Sequence, residues 1–314
     1  MNAAGSVRMA VVGVGFLGRH HVRLLSQLDD VELVGVADTN AARAAEVART
    51  YSTCAFTSAD ELPSDLDAIT VAVPTRSHLA VARPFLERGV GVLVEKPMAR
   101  TLDEADELLA AAAGSGATLA VGHTERFNPA VTAALPLVSN PRFVEIHRLG
   151  TFPERSLDID VVFDLMIHDL DVLLATVGGD VAAVEAVGVP VLTSRVDIAN
   201  ARLRFTSGCI ANVTASRISR DRVRKVRFFQ RDAYISIDYA SQEVERYTLG
   251  TRQGALPAIE GGRLDIPRDE PLRIELLDFV TAVRANGVPR VTGADGRRAL
   301  ALAERITEAI ARAA

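Results

Sequence analysis

The sequence predicts two domains of different kind: an α/β domain on a parallel sheet with helices on both faces, then an α+β domain with a largely antiparallel sheet. Three observations carry this. A glycine pattern stands between a short apolar run and an amphipathic stretch near the N-terminus, and strand-like and helix-like runs alternate up to about residue 123. From about residue 124 that alternation gives way to consecutive strand-like runs. A length of 314 residues supports two ordinary cores, divided as 1–123 and 124–314, with the C-terminal helix free to pack back on the first domain.

The first strand is RMAVVG (8–13), followed by GVGFLGRHH and a helix through Leu24, Leu25 and Leu28. Gly13, Gly15 and Gly18 thus form G-x-G-x-x-G between strand and helix. The first permits the tight turn, the second lets backbone approach a pyrophosphate, and the third lets helix and strand pack closely. Phosphates would sit on the N–H groups of the helix start, around Phe16 and Leu17. A second strand, VELVGVAD (31–38), ends in Asp38. A carboxylate there accepts hydrogen bonds from the adenosine ribose and repels a 2′-phosphate, so NAD is expected and NADP disfavoured. The plainer alternative is an Asp capping the next helix, 40–50.

A weak strand follows at 54–57, then a strand at 67–74, a helix at 77–88, a strand at 89–97, a helix at 102–113 and the run ATLAVGH leading to His123. In such sheets ligands bind beyond the carboxyl ends of the strands, where Pro74, Thr75, Glu95, Lys96 and His123 fall. His78, at the start of a helix just after a strand, is expected to line the cofactor pocket, whereas His20 and His21 receive no chemical role. Lys96 stands out further. Only two of the 35 basic residues are lysines, and a lysine kept at a strand end offers a compact ammonium that can lose its proton, as arginine cannot.

The second half opens with a helix at 161–176 (VVFDLMIHDLDVLLAT), closed by Gly178 and Gly179. Strand-like runs follow at 181–192, 198–206, 209–216, 223–230, 233–239 and 244–249, then a loop at 250–263, and two amphipathic helices at about 270–285 and 294–312. Asp164 and His168 are four residues apart on the first helix, so a carboxylate can orient an imidazole for general-base work on an alcohol. A metal is not expected, because no cluster of further His, Cys or Glu supplies ligands. Arg126 and Asn128 are candidate substrate contacts. Arg217, Arg220, Arg222 and Lys225 suit a diphosphate, although the solvated face of a strand explains them more simply.

A formal net charge of -5 and the lack of a broad basic excess argue against a nucleic-acid or membrane-surface partner, and no run approaches a membrane span. Cys54 and Cys209 lie far apart and read as buried small apolar residues of a reducing compartment, hence a cytoplasmic protein.

Together, the N-terminal glycines, the Glu95-Lys96-Pro97 turn and Asp164-x-x-x-His168 resemble the glucose-fructose oxidoreductase, inositol dehydrogenase and MocA family, across nearly the whole chain. The family pattern usually has glycines ahead of the histidine. This chain instead reads VVFDLMIHDLD, which with GHTERFNPAV (122–131) is similar to the subgroup of UDP-N-acetylglucosamine 3-dehydrogenases. The resemblance implies a Rossmann domain joined to an open antiparallel sheet, an active site between them, and homodimers or homotetramers through that sheet. It also implies that Lys96, Asp164 and His168 act on the hydroxyl being oxidised. The expected function is therefore NAD-dependent oxidation of a sugar or nucleotide-sugar hydroxyl. A dehydrogenase or reductase of a free sugar or inositol, and a dinucleotide sensor without turnover, are the competing expectations.

Overall fold

A computed structural model describes residues 5–152, 159–250 and 258–313. Its contacts divide the chain into two compact units, Met1–His123 with Leu272–Leu300, and Thr124–Pro271 with Ala301–Ala314.

The first unit is a six-stranded parallel sheet in the order β3-β2-β1-β4-β5-β6. The strands are β1 (Val7–Val12), β2 (Val31–Ala37), β3 (Cys54–Phe56), β4 (Ala68–Val71), β5 (Gly91–Glu95) and β6 (Leu119–Gly122). Between them run α1 (Phe16–Leu25), α2 (Ala41–Tyr51), α3 (His78–Glu87) and α4 (Leu102–Ser115). Strand order reverses between β1 and β4, so the crevice beyond their carboxyl ends is the expected ligand position. Boundaries follow local chemistry: Asn40 and Thr101 cap α2 and α4 by accepting the N–H of Arg43 and Glu104, and Gly116 ends α4 in the left-handed region.

The sequence division placed 272–300 with the second half, whereas contacts group these residues with the first unit. The reason is visible in the core, where Leu276, Phe279 and Val280 of α7 (Pro271–Ala285) join Met9, Val11, Leu24, Leu25 and Leu93. The final helix, α8 (Gly293–Ala313), starts against β6, where a Cβ on Gly296 would press into Val121 at 2.5 Å.

In the second unit, α5 (Pro129–Ala134) and α6 (Ile167–Thr176) accompany an eight-stranded sheet in the order β14-β13-β12-β11-β7-β10-β9-β8. Its strands are β7 (Phe143–Leu149), β8 (Val181–Val189), β9 (Ile198–Phe205), β10 (Ile210–Ser216), β11 (Val223–Phe229), β12 (Ala233–Asp238), β13 (Glu243–Leu249) and β14 (Ile259–Arg263). All named pairings are antiparallel except β7 with β10. Alternate residues such as Val144, Ile146, Leu203, Val213, Phe228 and Ile235 are buried. On the other face run polar pairs, Asn200–Thr214, Arg202–Asn212 and Arg227–Glu145, and an aromatic row, Phe143, Phe229, Tyr234 and Tyr247.

Several expectations change. Strand β7 sits inside the sheet although its alternating FVEIHRL was not read as a strand, and α5, begun by an Asn128 cap and Pro129, was also missed. Within the expected loop 250–263, Ile259–Arg263 pairs with β13, and 251–257 lie outside the described residues. The expected helix 161–176 is split into a π-helical turn, Val162–Met166, followed by α6. Cys54 is exposed rather than buried, because β3 is the sheet edge; Cys209 is buried, which pushes its thiol up to about 11.

Candidate active site

The glycine loop joins β1 to α1. Gly13 has φ +85°, and a Cβ there would meet Ala72 O at 2.7 Å; at Gly18 a Cβ would lie 1.8 Å from Gly13 O. No side chain larger than hydrogen fits either position without moving backbone. Gly15 differs: within 4 Å of its Cβ position lies only Arg43 Nη1, at 3.8 Å, so this glycine leaves open space. Gly15 is also the N-cap of α1, with no side-chain cap, and Phe16 and Leu17 beside it are exposed. An open, uncapped helix N-terminus with glycine at its lip fits a pyrophosphate.

Asp38 follows β2 and faces this loop. Its Oδ2 accepts the N–H of Val14 at 3.0 Å and its Oδ1 that of Asn40 at 2.9 Å, while Arg43 Nε stands 3.4 Å from Oδ2. The capping alternative is thus answered by Asn40, which caps α2 itself, and the carboxylate instead ties β2 to the glycine loop. Beyond β4, Pro74 is exposed and Thr75 half-buried in a 3-10 turn.

Lys96 is half-buried directly after β5, and its peptide bond to Pro97 is cis. Glu95, expected to touch the cofactor, is buried under this turn. His21 Nε2 donates to its Oε1 at 3.0 Å and the Lys96 N–H donates to its Oε2 at 3.3 Å. Gly122 makes room for that carboxylate, since a Cβ there would lie 2.9 Å from it. His21, given no role from sequence, is fully buried. One signal was available: His21 lies three residues after the inward Gly18, on the stripe shared with Val22 and Leu25, and a histidine at a core position needs a polar partner.

His78 also departs from expectation. Its ring is buried, with Nε2 2.9 Å from Val73 O and Nδ1 3.1 Å from Pro97 O and 3.3 Å from Met98 O. It presents no nitrogen to a ligand and instead straps the Lys96-Pro97 turn to the end of β4. Burial pushes its pKa below the ordinary value, against the pull of those carbonyls and of Glu95.

In the second unit, Asp164 lies in the π-helical turn and His168 in the first turn of α6, both half-buried. A π turn re-aims side chains relative to an α-helix and is frequent at functional sites. The turn is anchored by Val161 N–H to Val196 O at 3.0 Å and by Val196 N–H to Asp160 Oδ1 at 3.0 Å. Arg217, a candidate diphosphate contact, is 1% exposed and belongs to this anchor: Nε donates to Asp197 Oδ1 at 2.8 Å and Nη1 to Ile159 O at 2.7 Å. Burial would raise the Asp197 carboxyl, but the N–H groups of Thr193 and Leu192, then Arg217, hold it well below the usual carboxylate range. Arg222 reaches Thr151, Lys225 pairs with Asp238, and Arg220 is exposed, as a solvated strand face requires.

Arg126 and Asn128 were expected to meet substrate. Arg126 Nη1 lies 3.2 Å from Asp171 Oδ1, and the buried Asn128 caps α5 and donates to Tyr239 O at 3.0 Å, so both are committed to protein partners. Beside them Arg148 donates to both oxygens of Asp169, at 2.6 and 2.9 Å, and to Glu125 at 3.0 Å. Burial disfavours that guanidinium, but Asp169 and Glu125 outweigh it and hold its pKa well above the ordinary value. Through Asp169 and Asp171 these pairs tie α6, which carries His168, to Arg148 of β7 and to Arg126. His123 is buried at the end of β6. Among the described residues no group of three or more His, Cys, Asp or Glu is arranged to hold a metal, and no helix is long and apolar enough to cross a membrane.

Comparison with known proteins identifies the family. Residues 7–123 match the model of the oxidoreductase family with an NAD-binding Rossmann fold, and 141–235 match the GFO/IDH/MocA C-terminal domain. The chain is 39% identical over 308 residues, 97% of each chain, to a UDP-N-acetylglucosamine 3-dehydrogenase of Acidithiobacillus ferrooxidans. A solved structure of that enzyme superposes with a TM-score of 0.91 at 38% identity, covering 97% of this chain and 98% of the other. An NAD-dependent scyllo-inositol 2-dehydrogenase of Bacillus subtilis is 26% identical over 315 residues, covering 92% of this chain and 90% of that one. The chain therefore belongs to the GFO/IDH/MocA family of oxidoreductases, and its cofactor is NAD.

Proposed function

We propose that this enzyme oxidises a secondary hydroxyl of a nucleotide sugar, with the 3-hydroxyl of UDP-N-acetylglucosamine as first candidate. The observation that carries this reading is the 39% identity, along 97% of both chains, to a UDP-N-acetylglucosamine 3-dehydrogenase. When bound, NAD accepts a hydride from the carbon that bears the hydroxyl. Gly13, Gly15, Phe16, Leu17 and Gly18 hold its pyrophosphate, Asp38 accepts the adenosine ribose hydroxyls, and Pro74 and Thr75 border the site. Lys96 and His168 are the acid–base groups for the substrate hydroxyl, and Asp164 orients the imidazole. Glu95, His21 and His78 hold the Lys96 turn rather than touch ligands. His123, buried directly after β6, borders the substrate. The reading carries with it a cytoplasmic protein whose subunits pair through the C-terminal sheet, for which the row Phe143, Phe229, Tyr234 and Tyr247 is the candidate face.

The test is absorbance at the reduced-nicotinamide band with NAD and UDP-N-acetylglucosamine, free glucose or myo-inositol, with Lys96→Ala and His168→Ala alongside. Turnover of the nucleotide sugar, reduced about 10²- to 10⁴-fold in either variant, is the expected result. Turnover of a free polyol alone overturns the substrate assignment, and full activity in either variant overturns that residue's role.

A further inference from the structure

A π turn is an uncommon way to wind a chain. At Val162–Met166 the N–H of Ile167 closes on Val162 O, where an α-helix would close on Phe163 O. Geometry of such low population persists where the surroundings over-determine it. If the turn tightened to α geometry, the residues at its start would rotate by about 100° relative to those after it, the turn per residue of an α-helix. Asp164 would then be re-aimed relative to His168.

The three residues ahead of the turn are each held from elsewhere in the second unit. Arg217 Nη1 donates to Ile159 O at 2.7 Å, the Val196 N–H donates to Asp160 Oδ1 at 3.0 Å, and the Val161 N–H donates to Val196 O at 3.0 Å. The carbonyl of Asp160 in turn accepts the N–H groups of Phe163 and Asp164, both at 3.1 Å, so the hold passes directly to the residue that orients the imidazole. Next to Val196, the fully buried Asp197 carboxylate takes the N–H groups of Val191, Leu192 and Thr193 on Oδ2, at 2.9, 2.7 and 2.8 Å. On Oδ1 it takes Thr193 Oγ1 and Arg217 Nε, both at 2.8 Å. The loop from β8 to β9 is thereby knotted on one buried charge, and Arg217 joins that knot to the chain ahead of the turn.

We propose that Asp160, Asp197 and Arg217 are positioning residues of the reaction: they hold the π turn, and through it the orientation of Asp164 relative to His168. This rests on the acid–base role given to His168 above and goes beyond it in naming what sets its geometry.

The experiment compares Asp160→Ala, Asp160→Asn and Arg217→Lys with the unaltered chain. It reads kcat and KM for UDP-N-acetylglucosamine with NAD, NAD affinity by calorimetric titration, and backbone hydrogen exchange over 161–168 by mass spectrometry without substrate. Asn keeps a carbonyl acceptor for the Val196 N–H and Ala does not, while lysine keeps a cation for the buried Asp197 but lacks the fork that also reaches Ile159 O. Asp160→Ala and Arg217→Lys are expected to lower kcat about 10- to 100-fold, the scale of a small misplacement, with KM and NAD affinity within about threefold. Exchange over 161–168 is expected to be faster in both. Asp160→Asn is expected to keep kcat within about threefold and to restore slow exchange. An Asp160→Ala enzyme with kcat within about threefold of the unaltered chain would sink the proposal. So would an Asn variant that fails as badly as Ala, which would reduce Asp160 to a charge at the start of a helix. A matching loss of NAD affinity would also sink it, because the damage would then extend beyond the turn. If the unaltered chain turns over neither this nucleotide sugar nor glucose nor myo-inositol, the functional reading falls, and the exchange measurement still decides whether these residues hold the turn.

Discussion

Asp169→Ala tests whether the buried charges of the second unit fix the helix that carries His168. Asp169 is fully buried and receives two hydrogen bonds from Arg148, at 2.6 and 2.9 Å. Removing it leaves a buried guanidinium with only part of its compensation: Glu125 at 3.0 Å and the Tyr239 ring, 5.1 Å from the guanidinium carbon. Breaking one side of a buried pair costs about 3–5 kcal/mol, and a unit of this size loses about 2–4 °C of melting temperature per kcal/mol. The expected loss is therefore about 6–20 °C in the transition of this unit, read by differential scanning calorimetry. Arg148→Met with Asp169→Leu removes both charges and should recover most of the loss, since an apolar pair of similar volume replaces the ion pair without a desolvation penalty. Glu125 keeps Asn128 Nδ2 as a donor at 3.3 Å in that variant. A drop below about 2 °C for the single change, or a double variant less stable than the single, would refute the assignment of this pair as the brace of α6.

Gly18→Ala should weaken NAD at least tenfold in calorimetric titration, because its Cβ would sit 1.8 Å from Gly13 O and the loop must open. His21→Ala leaves the buried Glu95 carboxylate without its 3.0 Å donor, so it should cost about 1–3 kcal/mol in urea unfolding and lower kcat more than it raises KM; His21→Gln, which keeps a donor, should restore part of both. Asp197 has a depressed folded pKa, so its stabilising contribution is complete above its ordinary value of 3.8 and is lost as pH falls below that; Asp197→Asn should flatten the acid limb of melting temperature against pH. His78 is depressed from 6.5, so its contribution is full above pH 6.5 and declines below it; in His78→Gln the melting temperature should vary less between pH 7 and 5.

What the sequence determined by itself was whatever local pattern and chain order encode. The period of the apolar runs named both sheets, and glycine positions named the dinucleotide loop, because Gly18 answers a steric demand five residues away at Gly13 O and Gly13 a positive φ of its own backbone. Order and spacing of Glu95-Lys96-Pro97 and Asp164-x-x-x-His168 named the family. What only the tertiary structure decided was which polar groups are spent on one another. His21 meets Glu95 across 74 residues, Asn128 meets Tyr239 across 111, and Arg217 meets Asp197 across 20. No sequence period records such pairings, so Asn128 and His78 read as ligand contacts, and Arg217 as part of a solvated strand face, when their hydrogen bonds were already committed inside the protein. The same holds for α7, whose Phe279 belongs to the first core although its chain position follows the second sheet. Burial and hydrogen-bond satisfaction are properties of groups brought together from distant parts of the chain, and they come into being only when the fold closes.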